Sequence, residues 1–283
     1  MSKRKKISII TILIIIALCY YKFEDQSNLL RVCFLDVGQG DAVLIKSPQG
    51  KNILIDGGPD ANLIHQLGNK HSYQNHQIDI LVLTHAHADH FYGLVEIVKR
   101  YDIKLVLWSG VESQWSEYQY FQNIADKLDT KVALLGQEYL IEDDLKIRVV
   151  YPTHILKEEE AEDINNTSVS LILSYGEIDF WLAGDLTCEG EEEIIRQGLN
   201  TETEIYKASH HGSRWSNCDD ILDKLKPELA IIQSGLDNQH KHPHLETLER
   251  LEERSIKILR NDELGDIWIE SDGEKYWVKK ELE

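Results

Sequence analysis
The sequence predicts an α/β fold in which two β-sheets face each other and helices cover their outer sides. Two observations carry this. Apolar runs of strand length come in two blocks, one in each half of the chain, and segments with apolar residues at helical spacing lie between them. Glycine- and proline-containing turns punctuate the runs.

In chain order, Leu30–Asp36 and Ala42–Lys46 read as strands around Gly38-Gln39-Gly40, and Asn52–Asp56 follows Pro48-Gln49-Gly50. A helix is expected over Asp60–Asn69. Ile78–Thr84 is an apolar strand, and Phe91–Tyr101 is a helix with Leu94, Val95 and Val98 on one side. Lys104–Trp108 is a strand. Ser113–Leu128 is a helix that sets Trp115, Tyr118, Phe121 and Ile124 on one face. Lys131–Leu134, Gln137–Ile141 and Leu145–Tyr151 form a run of strands, and Lys157–Asp163 is a charged loop. Val169–Ser174 and Ile178–Ala183 make a hairpin across Tyr175-Gly176-Glu177, with an acidic helix over Thr187–Gln197 after it. Thr203–Ala208 is a strand. Asp219–Leu225, Leu229–Ser234, Leu245–Arg254, Ile256–Arg260 and Asp266–Glu270 complete an alternating series, and Trp277 lies in a last strand.

The chain has 283 residues and a formal net charge of −19. Lys3, Arg4, Lys5 and Lys6 precede the apolar run Ile7–Tyr21, the layout of an export signal. At about fifteen residues the run is short for a membrane span, but within reach if Tyr20, Tyr21 and Phe23 sit at the interface. Ala17-Leu18-Cys19 is a weak cleavage site. Residues 1–28 are therefore expected to be an uncleaved signal-anchor and linker, tying the chain to a membrane, with residues 29–283 folded outside it as one domain. Cleavage of the leader would make the protein secreted. The acidic body repels polyanions at long range, which counts against nonspecific nucleic-acid binding by the whole surface. Of Cys19, Cys33, Cys188 and Cys218, none forms a C-x-x-C pair, so zinc-ribbon and thioredoxin-like motifs are excluded. The cysteines are read as free or core thiols, with one pairing left open.

The chemistry concentrates at strand ends. His85-Ala86-His87-Ala88-Asp89-His90 follows Ile80–Thr84, placing four side chains with metal-ligand chemistry within six residues. A tight loop at a strand end lets them converge; a continuous helix would spread them around its circumference. Asp56 follows Ile53–Ile55, Asp185 follows Trp181–Gly184, and His210-His211 follow Tyr206–Ser209. His240, His242 and His244 come after Ile231–Ser234. If these ends share one edge, the groups form one cleft.

These residues resemble the metallo-β-lactamase fold superfamily. His85-x-His87-x-Asp89-His90 is similar to its signature loop, Gly184-Asp185 to its bridging-aspartate motif, and His210-His211-Gly212 to its late histidine. The resemblance is closer to one branch, the extracellular hydrolase domain of ComEC-type DNA-uptake channels. Phe34–Asp41, Ile55–Pro59, Asn165-Asn166-x-Ser168, Lys207-x-x-His210-His211-Gly212-Ser213 and His242-Pro243-His244 carry it in order. It implies a four-layer αββα sandwich and two divalent metal ions, with Zn²⁺ the first choice and Mn²⁺ the second. By the resemblance, His85 and His87 hold the first metal. Asp89, His90 and one of His210 and His211 hold the second, and Asp185 bridges them. Strand alternation points neighbouring side chains to opposite faces, so one of His210 and His211 is expected to be a ligand. Many members have a further histidine where this chain has Asn165 and Asn166. An asparagine ligand would loosen the first site or favour manganese, and the alternative is that the pair only fixes its loop.

A paired-metal site implies hydrolysis. Asp89 would also orient the attacking water, and Lys207 or His244 would neutralise a phosphate or protonate the leaving group. For Lys207 the alternative is a solvent-facing strand-edge lysine. Asp36, Gln39, Asp41 and His242 are candidates for substrate contact or for supporting the ligands, and Asp56 for orienting a ligand histidine. The expected activity is phosphodiester hydrolysis, with DNA as one candidate substrate. The alternatives are a small-molecule or cell-wall phosphodiesterase or lactonase, a β-lactam hydrolase, and a non-catalytic membrane-tethered binding module. No protein partner is inferable.

Overall fold
The computed structural model describes residues 29–70, 76–156, 163–198 and 201–280. The expected signal-anchor and nearly all of the charged loop at 157–163 lie outside the described residues. Among the described residues no helix is long and apolar enough to cross a membrane.

The elements in order are β1 (Leu30–Phe34), β2 (Val43–Lys46), β3 (Asn52–Ile55), α1 (Asn62–Lys70), β4 (Gln77–Ile78), β5 (Ile80–Leu83), α2 (Ala88–Arg100), β6 (Asp102–Ile103), β7 (Val106–Trp108), α3 (Ser116–Ala125) and β8 (Thr130–Val132). There follow β9 (Glu138–Glu142), β10 (Leu145–Tyr151), a 3₁₀ turn (Ile164–Thr167), β11 (Ser170–Tyr175), β12 (Ile178–Leu182), α4 (Cys188–Arg196) and β13 (Ile205–Lys207). The chain ends with a second 3₁₀ turn (Ser209–Gly212), α5 (Asp219–Leu225), β14 (Leu229–Ile232), α6 (Leu245–Glu253), β15 (Lys257–Arg260), α7 (Asn261–Leu264), β16 (Ile267–Ser271) and β17 (Tyr276–Lys280).

One sheet has eight strands in the order β17-β16-β1-β2-β3-β5-β7-β8, and the other has seven in the order β15-β14-β13-β12-β11-β10-β9. Three apolar clusters correspond to the three contacts of four stacked layers. Val32, Phe34, Ile53, Ile55 and Val82 from the first sheet meet Val149, Leu171, Phe180 and Ile231 from the second. The intervening residues Cys33, Leu54, Leu81 and Leu83 point the other way and pack on Leu63, Phe91, Leu94, Tyr118 and Phe121 of the helices. Trp181, Tyr206 and Ile232 do the same on the outer side of the second sheet, against Ile194, Leu222 and Leu251. The two-residue alternation of strand side chains thus feeds two apolar layers from each strand, which is why these strands are apolar throughout. The αββα sandwich matches the expected fold.

The structure corrects two readings and decides a third that was open. α2 begins at Ala88, so Asp89 and His90 occupy the first helical turn and only His85 and His87 lie on the loop. Trp115 precedes α3 and is 53 % exposed, apart from the buried face of Tyr118 and Phe121. Cys188 and Cys218 form a disulfide, with Cα atoms 5.6 Å apart, and Cys33 is a buried core residue outside that pairing.

Strands β3, β5, β7 and β8 run parallel, as do β12 to β15. Asp56, His85, Asp185 and His210 follow the carboxyl ends of strands in these parallel sets, the edge where open α/β sheets place ligands.

Candidate metal centre
The first half of the site is built on Asp56. Its backbone adopts a left-handed φ of 58°, a costly conformation for a non-glycine residue. Three hydrogen bonds hold it there. The Thr84 N–H and the Thr84 hydroxyl donate to its carboxylate at 2.8 and 2.7 Å, and His90 Nδ1 lies 2.8 Å from Oδ2. An ionised carboxylate only accepts, so the Thr84 proton goes to Asp56, and the hydroxyl oxygen accepts from His85 Nδ1 at 3.0 Å. One buried carboxylate thus sets both imidazoles to the Nδ1–H tautomer and leaves both Nε2 lone pairs for a cation. His85 Nε2 and His87 Nδ1 lie 3.0 Å apart, a separation two ligands of one small cation can share. α2 reaches this position because Gly93 has no side chain: a Cβ there would sit 1.9 Å from the Gly57 carbonyl oxygen.

The second half is built on the ends of β12 and β13. Gly184, at φ 58°, brings the chain against the first sheet, where a Cβ would meet Thr84 Cβ at 2.9 Å. The Asp185 N–H donates to Ser168 Oγ at 3.1 Å. Asp185 Oδ2 then faces four imidazoles, lying 3.3 Å from His90 Nε2, 3.4 Å from His211 Nε2, 3.9 Å from His210 Nε2 and 4.0 Å from His85 Nε2. His210 and His211 both have left-handed backbones, φ 51° and 54°, inside the 3₁₀ turn. The alternation argument for choosing one of them therefore does not apply, since the strand ends at Lys207. His211 donates from Nδ1 to the Gln233 carbonyl at 2.9 Å, which again turns Nε2 inward.

Asn217 clamps this turn. Its Oδ1 accepts from the Ser209 N–H and the Tyr206 hydroxyl, and its Nδ2 donates to the Ser209 and Ser213 carbonyls. The buried Glu191 carboxylate accepts from the N–H groups of Asn217 and Cys218, and the disulfide to Cys188 closes the clamp.

The electrostatics favour a cation. Asp41, Asp56 and Asp185 are buried, Asp89 is largely so, and among the described residues the ammonium group set against them is that of Lys207. Burial opposes charge on His90, yet Asp185, Asp56 and Asp89 outweigh it and raise its pKa well above the usual imidazole value. Burial is likewise outweighed at His211 by Asp185 and Asp41, which push it up to about 10. His85 goes the other way: burial, with His90 beside it, holds it well below the usual value. Burial is overcome at Asp185 by His211, His90 and His210, which hold its carboxyl well below the usual range. The pocket thus draws in positive charge. Protons on imidazole supply it in one state, and metal ions would supply it while leaving Nε2 free to coordinate. Buried His90 Nε2, His211 Nε2 and Asp185 Oδ1 have no hydrogen-bond partner, as groups awaiting a ligand would. Among the described residues, four sets at this centre have ligand atoms within 4.8 Å of one another: His85, His90 and Asp185; Asp89, His90 and His211; Asp41, Asp185 and His211; Asp41, Asp56 and His90.

The centre opens into a cleft of about 290 Å³ lined by Gln39, His87, Ala88, Asp89, Trp115, Asp185, His210, His211, His240 and His242. Lys207 is buried, pairs with Asp41 and donates to the Gly184 carbonyl at 3.1 Å, so it is not a solvent-facing lysine. His242 lines the cleft, whereas His244 does not and accepts the Arg214 N–H on Nδ1. Asp36 caps its own turn by accepting the Gly38 N–H. Asn166 fixes its loop, with Oδ1 accepting from the Thr187 N–H and hydroxyl, and Asn165 Oδ1 is buried without a partner. Neither asparagine lines the cleft. Sequence reasoning missed Thr84, Gln233, Asn217 and Glu191. Thr84 adjoins the histidine cluster, which is a usable signal; the other three have none, since only the folded chain brings them to the ligands.

Fold and centre together define a class, the αββα metallohydrolases. The chain belongs to the metallo-beta-lactamase superfamily, whose family model matches residues 35–235. It is 30 % identical over 254 residues to ComE operon protein 3 of Bacillus subtilis (strain 168), covering 83 % of this chain and 32 % of that protein. It is 25 % identical over 244 residues to the competence protein ComA of Neisseria gonorrhoeae, covering 84 % of this chain and 32 % of that one. The chain therefore spans about a third of the length of these curated relatives. Among solved structures, Igni18, a metallo hydrolase from Ignicoccus hospitalis, superposes with a TM-score of 0.56 at 17 % identity, covering 85 % of this chain and 98 % of that one. These matches agree with the resemblance read from the motifs.

Proposed function
We propose that the chain is a metal-dependent phosphodiesterase acting outside the membrane. The observation that carries this is the convergence of four imidazoles on one Asp185 oxygen in a buried pocket with a surplus of carboxylates. His85 and His87 would hold one divalent ion, and Asp89, His90 and His211 a second, with Asp185 between them. His210, 3.9 Å from the same carboxylate, is the alternative to His211, whose Nδ1 anchor makes it the better-oriented donor. Ions there would supply Lewis acidity at a phosphoryl oxygen and a water acidified towards neutral pH. Zn²⁺ suits the nitrogen-rich set, and Mn²⁺ suits its carboxylates.

The chain's own residues do the rest. Asp56 fixes two histidine tautomers. Asp89, partly exposed in the cleft lining, is placed to orient an attacking water. His242, in the same lining, is nearer than His244 to where a leaving oxygen would sit; burial, with His211 and His210 beside it, pushes its pKa down to about 3, so it would offer a neutral ring N–H there. Lys207 stays with Asp41 and sets the charge around the ligands rather than touching substrate. The export-signal layout and the Cys188–Cys218 disulfide support an oxidising location outside the membrane.

The test is hydrolysis of bis-p-nitrophenyl phosphate with Zn²⁺ or Mn²⁺ by the parent, His87→Ala and Asp185→Ala. Metal-dependent turnover should fall by at least ~100-fold in Asp185→Ala and less in His87→Ala. Cleavage of nitrocefin with no phosphodiester turnover would overturn the reading.

A further inference from the structure
The wall of the cleft holds an indole with no part in the metal chemistry. Trp115 stands where the chain enters α3. Its carbonyl accepts the Gln119 N–H at 3.0 Å, and the helix behind it is pinned by buried Tyr118 and Phe121, with the Tyr118 hydroxyl donating to the Val111 carbonyl at 2.8 Å. The backbone is thus fixed while Trp115, 53 % exposed, lines the same cleft as His87 and Asp89. A large aromatic ring held in water at the rim of a reactive cleft forgoes burial, which the helix does not require of it.

The rest of the lining narrows what such a ring could meet. It contains no lysine or arginine, and the chain carries a net charge of −19, so a phosphate backbone cannot be tracked there by cationic contacts. At about 290 Å³ the cleft has room for one nucleotide-sized unit. Beyond the ions that the centre would hold, an aromatic platform is the source of affinity this lining offers, and it acts on planar rings whatever their sequence.

We propose that Trp115 stacks on the base next to the scissile phosphate, making the substrate class single-stranded nucleic acid or nucleotidyl diesters rather than duplex DNA or phosphodiesters without rings. This rests on the phosphodiesterase reading for its chemistry but not for its binding. The indole selects substrate and touches no reacting atom.

The probe is a pair of labelled, hydrolysis-resistant phosphorothioate oligomers of equal length, one of thymidine and one abasic. Their affinities for the metal-supplemented full chain are read by fluorescence anisotropy. The parent should bind the thymidine oligomer about tenfold more tightly, Trp115→Ala should bind both alike, and Trp115→Phe should retain most of the preference. Equal binding by the parent, or a preference that survives Trp115→Ala, would overturn the proposal. Metal content of each variant guards against a folding defect, and Trp115→Phe keeps the test open if the alanine variant fails to fold. A parent with the preference but no turnover of bis-p-nitrophenyl phosphate removes the phosphodiesterase reading alone; turnover without the preference removes the stacking alone.

Discussion
The two halves of the metal centre are held by different means. On the first-sheet side, His85 and His90 take their orientation from side-chain hydrogen bonds that converge on one buried carboxylate, Asp56. On the second-sheet side, His210 and His211 are aimed by two consecutive left-handed backbones, and that turn is held by Asn217, Glu191 and the Cys188–Cys218 disulfide. One half depends on a hub, so damage to it is local and severe. The other depends on a clamp spread over several groups, and should yield in stages.

The largest effect should come from the hub. Asp56→Ala leaves the Thr84 N–H, the Thr84 hydroxyl and the His90 Nδ1–H without their acceptor, and releases the hydroxyl that orients His85. It should lower stability by about 3–5 kcal/mol and metal affinity by roughly 10–100-fold. Denaturant titration and chelator competition measure the two. Loss confined to stability would mean that Asp56 is a folding residue and not an orienting one.

Opening the clamp comes next. Cys188→Ser with Cys218→Ser releases a closure of 30 residues that contains Lys207, His210 and His211. The chain-entropy argument gives a loss of about 3–4 kcal/mol, read from the shift in denaturation midpoint. Metal affinity should fall less than in Asp56→Ala, because Asn217 and Glu191 still hold the turn. An equal loss of affinity would erase the distinction between the halves.

The smallest effect sharpens the clamp further. Burial pushes the Glu191 carboxyl up to about 7, against the pull of the Cys218 and Asn217 N–H groups. In the unfolded chain this group loses its proton near pH 4.5, so between pH 4.5 and 7 the folded state holds more protons. Its contribution is therefore full below pH 4.5 and is lost as pH rises to about 7, by roughly 3 kcal/mol. Stability measured across this window should slope downward from this group, and Glu191→Gln should remove that slope whatever it does to the baseline. An unchanged slope would place the titration elsewhere.

The same contrast explains what could be read from the sequence. The hub half was legible because its ligands are adjacent and end an apolar strand, so Ile80–Thr84 followed by His85–His90 announces both element and chemistry. The layers were legible for the same reason: strands buried on both faces appear as unbroken apolar runs. The helical start at Ala88 was hidden because four ligand-type residues in six look like a loop. In the clamp half, residue types were visible but geometry was not. Nothing in the letters of His210-His211 signals two left-handed residues, so strand alternation misdirected the choice between them. The Cys188–Cys218 pairing requires α4 and the segment before α5 to lie side by side, which spacing alone does not state. Trp115 sat at helical spacing with core residues yet falls just before the helix, where that spacing has no force.

The strand that opens the first sheet lies inside it, between β2 and β16, and Arg31 pairs with Glu270 across 239 residues of chain. While the polypeptide is being made, β1 therefore keeps a bare row of amides and carbonyls until β16 emerges. Joining such remote segments is entropically demanding and slow. The order of synthesis thus keeps the sheet that carries His85–His90 unsealed until the segments that bring Asp185, His210 and His211 have all been made.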